Sequence, residues 1–427
     1  MNFTQNEKLN QLSERSIVIG VDIASELHYA RAFDWRGVEL GKVFKFANST
    51  EGFKDYYAWI ERLKRLTQKD RIVVGAEPTG HYWFGLASYL KEQNIKLVLV
   101  NPFHVKRSKE FDDNHPSKTD AKDPKTIAKL VIEGRYNEPY IPEGIYAELR
   151  IATACRMRIQ KEMNSIKNRI QRWLKIYFPE HGDVFGKFDA ISSMLVLQEA
   201  PLPSDIEKLG AEGINRIWRD NKLRAVGMKR AKSLYEAAQK TIGCTEGESC
   251  SRMEIKLLLQ DYHNKTAQYQ AVMEVVDGLC RQIPEVAKLL EIKGVGLVTV
   301  AGFISEVGDI RRFNSPKQIQ KLAGLALRES SSGKNKGQTT ISKRGRARLR
   351  AILFQAVMPL VAKNTEFAEI HKYYTTRIKN PLKKKQSLIA LCCKLIRVFY
   401  VILTKGIDYD SQKLIKDIHR PVEYLVA

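Results

Sequence analysis

The sequence predicts an α/β amino-terminal domain, a helical coiled-coil middle region and a mainly α-helical carboxyl-terminal domain. The first 135 residues alternate between strand-like and helix-like apolar patterns, which is typical of a mixed sheet covered by helices. Apolar residues then recur at alternating spacings of three and four, and the last third of the chain combines helical patterns with dense positive charge. We therefore divide the chain into residues 1–148, 149–286 and 287–427.

The order of elements in the first region indicates three strands followed by an alternation of helix and strand. Runs of β-branched residues mark the strands, and apolar residues three or four apart mark the helices. The predicted elements are strands 17–22, 29–33 and 42–46, helix 51–66, strand 72–77, helix 83–93, strand 96–101 and a helix carrying Ile127, Leu130 and Ile132.

Four acidic residues are the strongest chemical signal in this region. Asp22 and Glu77 each end an apolar strand, and Asp120 and Asp123 lie three residues apart further along the chain. Open α/β sheets place their sites at the carboxyl ends of strands, where Asp22 and Glu77 fall. Any one of these residues could equally be a turn former or a helix N-cap, but the four together favour a metal site. Mg²⁺ prefers such oxygen ligands, and paired ions stabilise both oxygens of a phosphoryl transfer.

The overall charge points to a polyanionic partner. The 427 residues carry a formal net charge of +23, which favours nucleic acid or an anionic membrane surface. The membrane alternative is weak, because the first residues lack an apolar signal region and the apolar run 388–403 is broken by Lys394 and Arg397. The six cysteines form no CxxC pair, so we expect reduced thiols in a cytoplasmic protein and no zinc site.

The middle region predicts two long helices that pack against each other. One apolar series runs from Ala152 to Tyr177 and a second from Leu258 to Ile283, which favours an antiparallel coiled hairpin. Pairing within one chain and pairing between two protomers both fit this periodicity. Short amphipathic pieces over 201–243 predict a small helical subdomain at the tip.

The last region combines a glycine turn with a basic segment. Gly294 and Gly296, between apolar helices, resemble a helix-hairpin-helix whose backbone N–H groups hold a DNA phosphate, although such turns also join helices without binding anything. Residues 311–390 hold 19 Lys and Arg against three Asp and Glu, an electrostatic footprint of nucleic-acid binding. The predicted phosphate contacts are Gly294, Gly296, Lys334, Lys336, Lys343, Arg344, Arg346, Arg348 and Arg350.

A serine triplet, residues 330–332, precedes the basic segment. Composition alone favours a flexible polar loop there. A serine hydroxyl can nonetheless attack phosphorus when its proton is removed and nearby cations neutralise the phosphoryl charge. The pattern does not choose among Ser330, Ser331 and Ser332.

The ordered motifs of this chain resemble those of the insertion-sequence-110 family of transposases, relatives of the Piv-type DNA invertases. The resemblance covers nearly the whole chain. It is carried by GVDIA with Asp22, FANSTEGF at 46–53, GAEPTGHYW with Glu77, VNP at 100–102, KTDAKDP with Asp120 and Asp123, IKGVG, KLAGLALRESSSG and ISKRGRARLR.

The resemblance implies a RuvC-like (RNase H-like) first domain, in which Asp22, Glu77, Asp120 and Asp123 bind Mg²⁺. It also implies that Ser332, before Gly333, is the nucleophile. The family's site combines the two halves across protomers, with dimerisation through the coiled hairpin. Two dimers assemble as a tetramer on a structured bridge RNA, donor DNA and target DNA. The resemblance therefore implies a bacterial or archaeal cytoplasmic protein that acts at the nucleoid and not at a membrane.

Two positions depart from the family pattern without removing a reacting group. Pro124 follows the last aspartate, where relatives usually have a small residue, so Asp120 and Asp123 are expected at the very start of the helix. Leu327 replaces a common proline before the serines.

The sequence predicts a site-specific recombinase that cuts and rejoins DNA through a phosphoserine. No GxxxxGK nucleotide-binding motif is present, in keeping with transesterification. The chief alternative is a RuvC-like junction nuclease that uses water as nucleophile. A non-catalytic RNA or DNA chaperone would leave the four carboxylates unexplained.

Overall fold

The computed structural model describes residues 4–112, 123–328, 331–332, 335–336, 339–416 and 418. These residues form two compact units, Met1–Ile141 and Pro142–Ala427. The α/β elements all lie in the first unit, and the second is mainly helical. The predicted α/β amino-terminal region followed by mainly helical regions is confirmed, while the finer division at residues 148 and 286 stays a prediction.

The first unit is built on a six-stranded mixed sheet. Its strands lie in the order β3-β2-β1-β4-β5-β6, with β1 antiparallel to β2 and parallel to β4. The elements in chain order are α1 Gln5–Leu9, β1 Ser16–Asp22, β2 Leu27–Asp34, β3 Phe44–Ala47, α2 Thr50–Thr67, β4 Arg71–Ala76, α3 Trp83–Glu92, β5 Lys96–Val100, α4 Pro102–Asp112, α5 Asp123–Ile132 and β6 Tyr136–Asn137.

Alternation along β1 separates two cores on the two faces of the sheet. Ile17, Ile19 and Val21 pack with residues of α2 and α3, whereas Val18 packs with residues of α5. This period of two follows from the pleat, because successive side chains point to opposite faces. The apolar run that predicts β1 is therefore a strand buried on both sides.

The second unit begins with a hairpin of two 34-residue helices. Helix α6 spans Gly144–Tyr177, and its partner, numbered α11 in chain order, spans Glu248–Arg281. Ile170 near the end of α6 packs with Ile255 near the start of α11, and Leu149 near the start of α6 lies in one core with Val276. The two helices are therefore antiparallel, as the apolar spacing predicts; supercoiling and pairing with a second protomer stay predictions.

A helical subdomain lies at the tip, between the two long helices in sequence. It contains α7 His181–Phe185, α8 Ile191–Glu199, α9 Pro203–Asp220 and α10 Met228–Gln239. Its own core is centred on Trp218, which is fully buried and donates a hydrogen bond from Nε1 to the Ser192 carbonyl at 2.9 Å.

The rest of the second unit packs around one large apolar core. Its elements are α12 Glu285–Leu290, α13 Leu297–Val307, α14 Pro316–Leu322, β7 Leu327–Arg328, β8 Ser331–Ser332, β9 Asn335–Lys336, β10 Thr340–Ile341, α15 Ala347–Lys363, α16 Thr365–Thr376, α17 Lys384–Lys405 and α18 Ser411–Ile415. By length and composition α17 could cross a membrane, but a core helix meets the same criterion. Leu391, Leu395 and Phe399 of α17 are buried in this core. All six cysteines are free.

Candidate active site

Asp22 and Glu77 lie at the carboxyl ends of two neighbouring parallel strands. Val21 of β1 is in register with Ala76, the last residue of β4. The residues that follow them in the chain are Asp22 and Glu77. Both side chains are half-buried. Neighbouring strands lie roughly 4.8 Å apart, so the two carboxylates belong to one corner of the sheet.

Two glycines in register let α5 approach this corner. A Cβ on Gly20 would lie 1.8 Å from the carbonyl oxygen of Pro124, and one on Gly75 would lie 2.4 Å from Cγ2 of Val131. Gly20 and Gly75 each precede a carboxylate by two residues, so strand alternation places Asp22 and Glu77 on the face that α5 covers. The G-x-D and G-x-E patterns carry this signal in the sequence, and it is not among the predicted features above.

Helix α5 brings a third carboxylate to the same end of the sheet. Asp123 is the first residue of α5, which confirms the position expected from Pro124. Because Pro124 contacts Gly20, the start of α5 lies beside the last residues of β1, next to Asp22. Asp120 lies outside the described residues. Within the parts of the chain that the structure describes, no three His, Cys, Asp or Glu residues form a metal-ligating group, so the complete ligand set stays a prediction.

His28 fixes the turn that follows Asp22. Its ring is buried between Phe46 and Phe53, with ring centroids at 5.1 and 6.3 Å. Its Nδ1 accepts a hydrogen bond from the Ala24 backbone N–H at 3.2 Å. Burial lowers the pKa of His28, against an opposing hydrogen bond with Asn48, so the neutral ring that accepts this bond is favoured. No motif in the sequence singles out His28 as a positioning residue.

The close approach of α5 predicts the effect of adding one methyl group. We expect Gly20→Ala to lower the free energy of unfolding by roughly 3 kcal/mol or more. The new methyl group would meet the backbone carbonyl oxygen of Pro124, which cannot rotate away as a side chain could. Displacement of α5 should also lower strand cleavage. Gly85→Ala is the matched control, because its Cβ would meet only ordinary contacts and alanine favours the helix. Equal denaturant midpoints for the two variants would contradict this packing.

The serines lie in a short hairpin of the second unit. Ser331 and Ser332 form β8, which pairs antiparallel with Lys336 and Asn335 of β9. The outer pair β7–β10 brings Leu327 and Arg328 opposite Ile341 and Thr340. Ser330, Gly333 and Lys334 lie outside the described residues. Ser332 therefore lies on a short strand with Ser331, where composition alone favoured a flexible loop.

The basic segment after the hairpin divides into internal and exposed cations. Arg346 donates from Nη1 to the Glu306 carbonyl oxygen at 2.6 Å, and Arg348 Nε lies 3.5 Å from Glu306 Oε1. Arg350 Nη1 donates to the Ala323 carbonyl oxygen at 2.8 Å. Arg344 is exposed and forms no ion pair or side-chain hydrogen bond among the described residues. Of the four predicted arginines, Arg344 is therefore the most available to a phosphate, and its contact with one stays a prediction.

This division predicts different outcomes for two arginine-to-alanine changes. Arg344→Ala should lower the salt slope of DNA binding by about one unit and leave the melting temperature unchanged. Arg346→Ala should destabilise the fold by about 1–3 kcal/mol, because the mostly buried Glu306 loses a partner. Salt titrations of affinity and thermal melts on the same preparations check both. An unchanged salt slope for Arg344→Ala would exclude it as a phosphate contact.

The predicted glycine turn joins α12 to α13. Gly294 has a left-handed φ of 98°, and a Cβ there would lie 3.2 Å from Leu360 Cα. Gly296 is the N-cap of α13 and is exposed. Its neighbour Lys293 is exposed too. The geometry fits a helix-hairpin-helix, and phosphate binding by its N–H groups stays a prediction.

Comparison with known proteins gives matches in both units of the chain. A family model described as transposase, DEDD_Tnp_IS110, matches residues 19–179, and one described as the transposase IS116/IS110/IS902 family matches residues 286–375. Together the two models cover more than half of the chain. The fold and the site thus define a DNA transposase or recombinase. The chain belongs to the IS110 family of transposases.

Individual relatives align over most of their length. The pilin gene-inverting protein of Moraxella lacunata is 23% identical over 86% of this chain and 90% of its own. The transposase for insertion sequence element IS1111A of Coxiella burnetii is 22% identical over 92% and 91%. The IS116 insertion-element protein of Streptomyces clavuligerus is 23% identical over 91% and 94%.

Proposed function

We propose that this transposase is a site-specific recombinase of an insertion sequence that cuts and rejoins DNA through a phosphoserine. The observation that carries the proposal is the placement of Asp22 and Glu77 on adjacent parallel strands, with Asp123 beginning the helix packed on those strands. The sheet order, antiparallel through β1 to β3 and parallel through β1, β4 and β5, supports a RuvC-like first domain.

The donor set at this corner suits a hard divalent cation. Asp22, Glu77, Asp120 and Asp123 would hold Mg²⁺, whose charge when bound stabilises negative charge on phosphate and leaving-group oxygens. Gly20 and Gly75 allow α5 to pack closely against the strand ends. His28 accepts a hydrogen bond from the turn after Asp22. The protein's contribution is thus a fixed arrangement of oxygen ligands beside the strand ends.

The serine supplies the covalent step. The Ser332 Oγ–phosphorus bond forms while the phosphorus–3′ oxygen bond breaks, the hydroxyl proton is released and the 3′ oxygen leaves. Attack by a 3′ hydroxyl on the phosphoserine reverses these bonds and joins new partners. One phosphoester replaces another at each step, so no nucleotide fuel is required.

Cationic groups of the second unit would hold the DNA backbone during this exchange. Lys343 and Arg344 are exposed next to the hairpin, and Gly294 and Gly296 offer backbone N–H groups. Lys334 and Lys336 follow Ser332 by two and four residues in the sequence and complete the proposed set. Such contacts fix register and orientation without reading sequence.

Sequence recognition would come from RNA. The family resemblance and the net charge of +23 support a bridge RNA that pairs with donor and target DNA, while the protein recognises shape and backbone. A homodimer through the coiled hairpin, and a tetramer in the synaptic complex, complete this assembly in the bacterial or archaeal cytoplasm.

Isotope labelling tests the covalent route against hydrolysis. Recombination in H₂¹⁸O should give joined DNA without ¹⁸O, because no water attacks phosphorus. A junction nuclease that uses water would place ¹⁸O on each new 5′ phosphate. Labelled phosphate at the cleaved ends, in amounts that match cleavage, would replace the recombinase proposal with the nuclease.

A further inference from the structure

The tip subdomain carries a concentrated positive surface. Residues 216–240 contain eight Lys and Arg against two Asp and Glu, and all eight cationic residues are exposed. Neither family model covers these residues, because one match ends at residue 179 and the other begins at residue 286. We define the tip basic surface as Arg216, Lys222, Arg224, Lys229, Arg230, Lys232 and Lys240.

A rigid helix pair presents these charges. Helices α9 and α10 pack through the buried Trp218 and Leu234. Arg219, the eighth cation, braces the connecting loop by donating to the carbonyl oxygens of Leu223 at 3.1 Å and Val226 at 2.9 Å. A structural role therefore accounts for Arg219 but for none of the other seven.

The cations of the tip basic surface form no ion pairs within the described part of the chain, although Glu180, Asp183 and Glu236 line the same cleft as Lys229, Arg230 and Lys240. Among the residues that the structure describes, none of these seven cations lies within 4.0 Å of a carboxylate. Some cations elsewhere in the same helical region are paired, as Lys167 is with Asp189 at 2.7 Å and Arg252 with Asp205 at 2.7 Å. Glu180, beside α10, instead accepts hydrogen bonds from Thr241 Oγ1 and the Ile242 N–H.

This arrangement opposes folding stability. Like charges repel, and Lys229 and Arg230 lie in the first turn of α10, where positive charge is unfavourable. A surface that raises the free energy of the folded protein in this way is explained by an anionic partner, which relieves the repulsion when it binds.

We propose that the tip basic surface binds the phosphate backbone of duplex DNA outside the reacting strands. A single-stranded partner would need exposed aromatic rings for base stacking, but of the two aromatic residues in this segment Trp218 is fully buried and Tyr235 is half-buried. DNA is chosen over RNA because the family acts on DNA, and to that extent this inference rests on the proposed function.

Salt-dependent binding to a duplex without target sequence tests the surface. The variant Arg224→Ala/Arg230→Ala should lose about two units of salt slope and roughly tenfold or more in affinity at 0.1 M salt. The control Lys187→Ala/Lys208→Ala removes the same charge from exposed positions of the same subdomain. Equal slopes for the two variants would overturn the proposal, and loss of affinity for RNA alone would overturn the choice of DNA.

Footprinting of the unaltered protein gives a second, independent result. Duplex DNA should protect Lys222, Lys229 and Lys232 from acetylation, while Lys187 and Lys208 stay reactive, as read by mass spectrometry. Reactivity of all five without change would overturn the proposal even if a variant misfolds. Neither experiment measures cleavage, so a negative result here leaves the serine chemistry untouched.

Discussion

Replacing Asp22 or Glu77 with alanine is expected to lower DNA strand cleavage by roughly a thousandfold or more, the equivalent of about 4 kcal/mol. Each side chain ends one of two adjacent parallel strands, so each loss removes both charge and geometry from the ligand set. Folding should survive. Melting temperature without Mg²⁺ should be unchanged or higher, because one of two neighbouring negative charges is gone.

Asp55→Ala is the matched control for these variants. Asp55 is exposed on α2, which packs on the opposite face of the sheet from α5, so the same loss of charge should leave cleavage intact. Mg²⁺ should raise the melting temperature of the control but not of Asp22→Ala or Glu77→Ala. Normal cleavage by either variant would refute the metal site; Asp120→Ala and Asp123→Ala should match them.

Ser332→Ala is expected to remove all strand exchange while folding and RNA and metal binding persist. The serine Oγ forms the bond to phosphorus in the proposed step. The remaining cations can neutralise phosphate charge but cannot supply a nucleophile in its place. Strand exchange on a labelled donor and target, with guide RNA and Mg²⁺, measures the effect. Ser332→Cys should retain a trace at most, because a thiolate is a poor match for an oxygen-preferring Mg²⁺ site.

The neighbouring serines are the internal controls for this assignment. Ser331 shares the short strand β8 with Ser332, and Ser330 precedes it in sequence. Ser330→Ala and Ser331→Ala should reduce exchange without abolishing it. Complete loss in one of these variants, with activity in Ser332→Ala, would move the nucleophile by one or two residues.

Local patterns predict β1 to β5 and the helices α2, α3 and α5 of the first unit, because these elements bury apolar residues. Strand β1 begins one residue earlier than predicted and ends at Asp22 as predicted; β4 ends at Ala76, one residue short of Glu77. The start of α5 at Asp123 follows from Pro124, whose ring is compatible only with the first turn of a helix. Helix α4 was missed, because most side chains over 102–108 are exposed and its residues lack a strong apolar period.

The tertiary features of the site are harder to foresee. Gly20 and Gly75 matter because a particular helix packs on them, and that partner is distant in sequence. Arg346 and Arg350 look like nucleic-acid contacts by composition, but both donate to backbone carbonyls within the second unit. The strand pairing of Ser331 and Ser332 depends on β9, and no propensity within a serine triplet indicates it.

Capture of the covalent intermediate tests the central claim most directly. The unaltered protein, labelled DNA, guide RNA and Mg²⁺ would be quenched in denaturant, resolved on a denaturing gel and digested for mass spectrometry. A labelled protein–DNA adduct mapped to Ser332 is the predicted result. Efficient DNA cleavage with no adduct at any time point would contradict the account and assign the carboxylate site to hydrolysis by water.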